Sequence, residues 1–335
     1  MKKGKLLKNI FFFIALFALI GIIWSTGFNI IIENIKHTGW WFVPIIGIWL
    51  VVYVINARAF QLIICDESNV GVIGFAKSLQ VTITAFALNY STPAGMMGGM
   101  PYRIMELKTL VGINKATSSV VLYTMLHIMA HFIFWLSSIL LLGLFITVKK
   151  DLAIVFTAVF IVFVGLIILF FRGYKRGVLL KFFSILKNQP IFKKKLTAFY
   201  DKKESELIEI DTQISDLYLN RRQVFYKVLA LEYLGRLVNC LEVYFVVHAI
   251  GIDITYVHAF VMVAMTTLLA NLLFFIPMQV GPREGGYAVA IDLLKIAPVG
   301  ITVTALGVYV SLITRVRELI WIGFGMILMK LSSKR

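Results

Sequence analysis

Ten ionisable residues stand inside otherwise apolar stretches of this chain: Arg103, Glu106, Glu232, Arg236, Glu242, Arg283, Glu284, Arg315, Arg317 and Glu318. A charged side chain at bilayer depth costs roughly 2.5–3.5 kcal/mol on insertion scales, so such residues face a cavity or a partner. Arg103 and Arg283 each lie just past a proline, Pro101 and Pro282. Their planar guanidinium forks match a phosphate, and a nearby half-helix N-terminus would add positive potential. The chemistry they imply is capture of an anionic headgroup. Spacing also supports a blander reading. Glu232 and Arg236 are four apart, Arg103 and Glu106 three apart, Arg315 and Glu318 three apart, so each pair can neutralise itself on one helix face.

Two similar stretches must position the arginines. Asn89-Tyr-Ser-Thr-Pro93-Ala-Gly95-Met-Met-Gly98-Gly99-Met-Pro101-Tyr-Arg103 is matched by Asn271-Leu-Leu-Phe-Phe-Ile-Pro277-Met-Gln-Val-Gly281-Pro282-Arg283-Glu284. Proline removes a backbone donor and glycine imposes no steric preference. Pro93, Gly98, Gly99 and Pro101, and then Pro277, Gly281 and Pro282, therefore interrupt helices at membrane depth, where free backbone is tolerated only beside a cavity. Asn89 and Asn271 belong to the same candidate site. Interruptions paired between two halves of a chain point to a transport site.

The chain has 335 residues, 60% of them hydrophobic, and a mean hydropathy of +0.89. That is more apolar side chain than one water-soluble core hides, and the expected class is an all-α polytopic membrane protein. Six apolar runs are long enough to cross a bilayer, near 10–32, 40–64, 117–147, 151–172, 223–250 and 302–330. Lys2, Lys3, Lys5 and Lys8 precede the first, and eleven Lys and Arg fall between 173 and 222. By the positive-inside rule both regions and the C-terminal Lys330, Lys334 and Arg335 are cytoplasmic, in a cytoplasmic (inner) membrane, against the contrary bias of Lys149 and Lys150. Counting crossings makes 72–116 a hairpin entering from inside and 255–299 a hairpin entering from outside. The expected fold is six full spans plus two broken or re-entrant hairpins, with an inverted repeat of 40–147 and 223–330 joined by a basic connector, 173–222.

Within that connector Leu196, Phe199, Leu207, Ile210, Ile214, Leu217 and Leu219 have the spacing of an amphipathic helix. The net charge of +16 reads as topology: no aromatic-interleaved basic module points to nucleic acid. His127 and His131 share a helical face, but two ligands without a carboxylate in that span make no metal site. Cys65 and Cys240 form no disulfide or zinc framework, and no cofactor is expected.

The two motif regions with Arg315 resemble the family named for the transmembrane region of lysylphosphatidylglycerol synthase, also described as flippase-like membrane proteins. Asn89, Pro93, Gly98, Gly99, Arg103, Pro277, Gly281, Arg283, Glu284 and Arg315 carry the resemblance; Met100 and Pro282 depart from the family's usual pattern. It implies a lipid-translocating module. Because the sequence ends at Arg335, directly after its last span, the soluble aminoacyltransferase domain of larger relatives and its synthase activity are not expected. The leading expectation is a non-enzymatic carrier of a phosphate-bearing lipid (a phospholipid, an aminoacyl-phospholipid or a polyprenyl-phosphate), with Arg103 and Arg283 holding the phosphate, Arg315 and Arg317 extending the positive lining, and Glu232, Glu284 and Glu318 balancing charge. Two alternatives stand beside it: a membrane-embedded transferase using Glu106, Glu232 or Glu284 as base, and an accessory subunit partnered with a separate lipid-modifying enzyme.

Overall fold

A computed structural model describes residues 27–65, 71–91, 98–145, 150–176, 193–273 and 279–332, together with 13, 20, 21 and 276. Pro93 and Pro277, most of the expected first span, and Lys149, Lys334 and Arg335 lie outside the described residues. Every regular element among the described residues is helical. Helix α1 covers Phe28–Thr38, α2 Phe42–Ile64, α3 Phe75–Ser91, α4 Gly99–Val111, α5 Ile113–Phe145 and α6 Lys150–Arg176. They are followed by α7 Lys193–Leu219, α8 Arg222–Ala249, α9 Tyr256–Leu272, α10 Pro282–Leu294 and α11 Val303–Ser332.

Helix ends follow local chemistry. Pro101 sits in the first turn of α4 and Pro282 opens α10, positions where a missing N–H breaks no helical hydrogen bond. The Glu284 carboxylate reaches back 2.7 Å to accept from the Gly281 amide, and Thr255 Oγ1 accepts from the His258 amide at the start of α9. Gly112, at φ 80°, closes α4.

Ile32–Ile64, Ile113–Phe145 and Ala153–Arg172 are long and apolar enough to cross a membrane. Helices α8 and α11, of 28 and 30 residues, have the length as well, but each carries charges in its middle. The two hairpin regions form shorter helices of matching size: α3 and α9 have 17 residues each, α4 and α10 have 13 each. None reaches the ~20 residues needed to span.

Helix directions can be read from contacts. The Trp41 ring lies 5.8 Å from that of Phe245, Trp49 Nε1 donates to Glu242 Oε2 at 2.7 Å, and Arg221 donates to the Leu62 and Cys65 carbonyls. The start of α2 thus meets the end of α8 and its end meets the start of α8, an antiparallel pair. Helices α3 and α11 are antiparallel too: Lys77 meets Ser332, Gln80 the Leu328 carbonyl and Thr84 the Gly325 carbonyl.

One apolar cluster gathers Phe60, Val81, Leu88, Tyr102, Leu126 and Phe225 around the first hairpin; another gathers Phe134, Val243, Phe260, Ile291, Val310 and Ile313 around the second. Helix α7 covers the base of the first cluster, burying Leu207, Ile210 and Leu217, while Leu219 is exposed. Asn114 donates to Glu209 and Ser118 to Gln213, fixing α7 on the first turns of α5. The side chains of Leu196, Phe199 and Ile214 are outside the described set.

Candidate functional site

Close backbone approach shapes both hairpins. Gly99 lies so near α3 that an added Cβ would sit 2.5 Å from the Ala85 carbonyl oxygen, and Gly286 so near α9 that one would sit 2.6 Å from Thr266 Cα. The Asn89 side chain accepts from the Gly99 amide at 2.8 Å, while Asn271 donates to the Thr267 carbonyl at 2.7 Å. Both asparagines therefore serve backbone groups of their own hairpins.

Packing of α10 on α11 builds an ionic cluster. Arg283 makes a two-pronged contact with Glu318, both hydrogen bonds 2.7 Å. Arg315 donates to Glu284 Oε1 at 2.8 Å, which also accepts from Ser311 Oγ. Arg317 grips Glu242 through Nε and a terminal nitrogen at 2.7 and 2.9 Å, and its guanidinium lies 3.8 Å from the Trp49 ring centroid. Arg283, Arg315 and Arg317 are thus balanced by Glu318, Glu284 and Glu242. Tyr90, in the last turn of α3, lies within Coulombic reach of Glu318, Arg283 and Arg317.

Around α4, α5 and α8 the arrangement is different. Arg103 is buried, with its guanidinium 5.0 Å from the Phe60 ring centroid and 4.4 Å from that of Tyr123; its Nε has no hydrogen-bond partner among the described residues. Rings rather than a carboxylate hold this cation. Glu106 pairs with Lys77 at 2.5 Å. His127 Nδ1 lies 2.6 Å from Glu232 Oε2, and a terminal nitrogen of Arg236 lies 2.9 Å from His127 Nε2.

The pairings expected within single helices are thus largely exchanged for pairings between helices. His127 stands between Glu232 and Arg236, Glu106 reaches Lys77, and Arg315 and Glu318 each bond a residue of α10. Spacing along one helix cannot reveal a neighbour that packing brings closer. Arg103, Arg236 and Glu232 lie in one group, and Arg283, Glu284, Arg315, Arg317 and Glu318 in the other. Glu242, Lys77, Phe60, Tyr123, His127, Trp49 and Ser311 complete these groups. Glu242 was legible as a charge in a span; the rings carried no signal beyond apolarity. A cavity of about 290 Å³ between α5, α7 and the start of α8 is lined by Lys115, Ser118, Gln213, Asp216 and Arg221, and by none of the expected site residues.

Residues 10–322, nearly the whole chain, match the family described as the lysylphosphatidylglycerol synthase TM region. The chain belongs to that family. No curated relative and no solved structure matches it. As a lysylphosphatidylglycerol synthase TM-region protein it is a multi-pass membrane protein with a lipid-related role, and its buried charges fall within the matched residues.

Proposed function

We propose that this chain is a flippase that carries a phosphate-bearing anionic lipid across the cytoplasmic membrane. The observation that supports this most is Arg103, a buried guanidinium over the Phe60 and Tyr123 rings, with no carboxylate within ion-pair distance among the described residues. Among the described residues Arg103 has no ion-pair partner, while Arg236 and Glu232 meet at His127, leaving one positive charge in excess there, whereas the group on α10 and α11 is balanced. Excess positive charge at membrane depth is stabilised by an anion, and a guanidinium suits a phosphate. Arg103 is the first phosphate ligand in this reading. Arg283, Arg315 and Arg317 take the phosphate up only by exchanging it for their carboxylates, while the acyl chains remain in lipid.

Equal hairpin lengths and the antiparallel packing of α2 on α8 support an inverted repeat, since a two-fold axis in the membrane plane reverses its equivalent helices. Rocking of the halves about the hairpin tips would then alternate access, with both termini cytoplasmic. The test is reconstitution of the full chain in liposomes with headgroup-accessibility readout. Accelerated movement of an anionic lipid, reduced at least about tenfold by Arg103→Ala, is expected, the loss of one charge-assisted contact being worth about 1.5–3 kcal/mol. No acceleration for any anionic lipid, or full activity in Arg103→Ala, would overturn the reading.

A further inference from the structure

Glu232 is 1% exposed and shares its carboxylate with an imidazole rather than with the arginine one turn away. A terminal nitrogen of Arg236 lies 2.9 Å from His127 Nε2 and 3.2 Å from Nδ1; arginine only donates and Nδ1 is engaged by Glu232 Oε2 at 2.6 Å, so the nearer Nε2 is its acceptor. The proton of a neutral His127 then sits on Nδ1 and is donated to Glu232 Oε2. The trio of Glu232, His127 and Arg236 is electrically neutral in this state. It nevertheless has places for one more proton: Glu232 Oε1 has no hydrogen-bond partner among the described residues, and Nε2 of His127 holds a lone pair.

Either placement changes the charge of the trio to +1. On Nε2, the proton also removes the acceptor that Arg236 uses, freeing a guanidinium whose Nε already lacks a partner among the described residues. The effect would reach the proposed phosphate ligand through stacked rings. Tyr123 lies against Arg103 on one side and against His127 on the other, with ring centroids 5.9 Å apart and planes 28° from parallel. The groups around His127 are Arg103 from α4, Tyr123 and His131 from α5, and Glu232 and Arg236 from α8; α2 presents Phe60, and Tyr90 of α3 is within Coulombic reach of Arg236. Among these Glu232 is the one carboxylate. An added proton there and an anionic headgroup beside Arg103 and Arg236 attract each other, and such linkage is reciprocal.

We propose that His127 and Glu232 form a proton-binding pair that couples movement of the anionic lipid to movement of a proton in the same direction. The pair deepens the carrier reading and rests on it. No bond other than those to the proton forms or breaks: the proton enters at Nε2 or Oε1 from one side and leaves to the other. The test uses the full chain in liposomes, with fluorescent phosphatidylglycerol in the outer leaflet followed by its protection from an impermeant quencher. Its phosphodiester stays anionic across the range used, so a pH effect belongs to the protein.

The reading is the ratio of inward flux with an outer pH of about 6 against about 7.5 inside to flux without a gradient, bracketing imidazole titration. A ratio of at least about five is expected for the native chain, the lower end of ordinary coupling between linked sites. It should fall to about one in His127→Gln and in Glu232→Gln, reciprocity requiring both partners. Damage to the fold lowers both fluxes alike and leaves the ratio unchanged, so a variant that keeps the native ratio overturns the pair. A native ratio of one with measurable flux overturns proton coupling alone. No flux under either condition overturns the carrier reading and the pair together.

Discussion

Arg283 and Glu318 face each other through two parallel hydrogen bonds of 2.7 Å each, joining the first turn of α10 to the middle of α11. Neither side chain is more than 12% exposed, so the pair is held where an unpartnered charge is costly. Glu318→Leu alone should lower stability by about 3–5 kcal/mol, the usual penalty for stranding one member of a buried pair. Combined Arg283→Met and Glu318→Leu should restore most of that loss. Thermal unfolding of the four proteins in one detergent checks this as a double-mutant cycle, and additive losses would show that the pair is not coupled.

Arg103 is held by ring faces, which distinguishes guanidinium from ammonium. Arg103→Lys keeps the charge but puts a compact ammonium in place of the guanidinium over the Phe60 and Tyr123 rings, weakening a cation–ring contact worth about 2 kcal/mol at a desolvated site. Expression should survive, and lipid movement should fall about tenfold, since lysine also loses the fork. Tyr123→Leu, which keeps an apolar side chain and removes the aromatic face, should weaken function in the same direction while Arg103 is intact. Flux per folded protein is the measurement.

The hairpin glycines separate close approach from mere flexibility. Ala in place of Gly99 or Gly286 would bring its Cβ to 2.5 or 2.6 Å from backbone of the partner helix. Overpacking of this kind costs typically about 1–3 kcal/mol. Gly285, whose added Cβ meets nothing within 4 Å, is the internal control. Unfolding temperatures should fall for Gly99→Ala and Gly286→Ala and hold or rise for Gly285→Ala.

The helical class and several helix starts were legible because they depend on local signals. Apolar length marked α2, α5 and α6 as long helices, and Pro101 and Pro282 marked the starts of α4 and α10. Charges inside α8 and α11 were visible, but their partners were not. Spacing paired Glu232 with Arg236, whereas the imidazole of His127, 105 residues away, lies between them. An i,i+4 rule counts neighbours on one cylinder; burial of an ion recruits whatever group on the next helix completes its hydrogen bonds. The ring cradle of Arg103 was hidden for a related reason, because Phe60 and Tyr123 read as ordinary apolar positions until α2, α4 and α5 meet.

Inversion of the two halves carries a geometric consequence that needs no lipid assay. If α2 to α5 and α8 to α11 are related by an axis in the membrane plane, the open ends of the two hairpins lie on opposite faces of the bilayer. Ile113 follows α4 and is 55% exposed; Val299 follows α10 and is fully exposed. Cys65 is the native thiol to remove first, Cys240 being buried. In a Cys65→Ser background, Ile113→Cys should react with an impermeant maleimide only after the cytoplasmic face is opened, and Val299→Cys should react in intact cells. Labelling of both from one face would place the hairpins on the same side. That result removes the inverted repeat, and with it the two-sided access on which alternating transport depends.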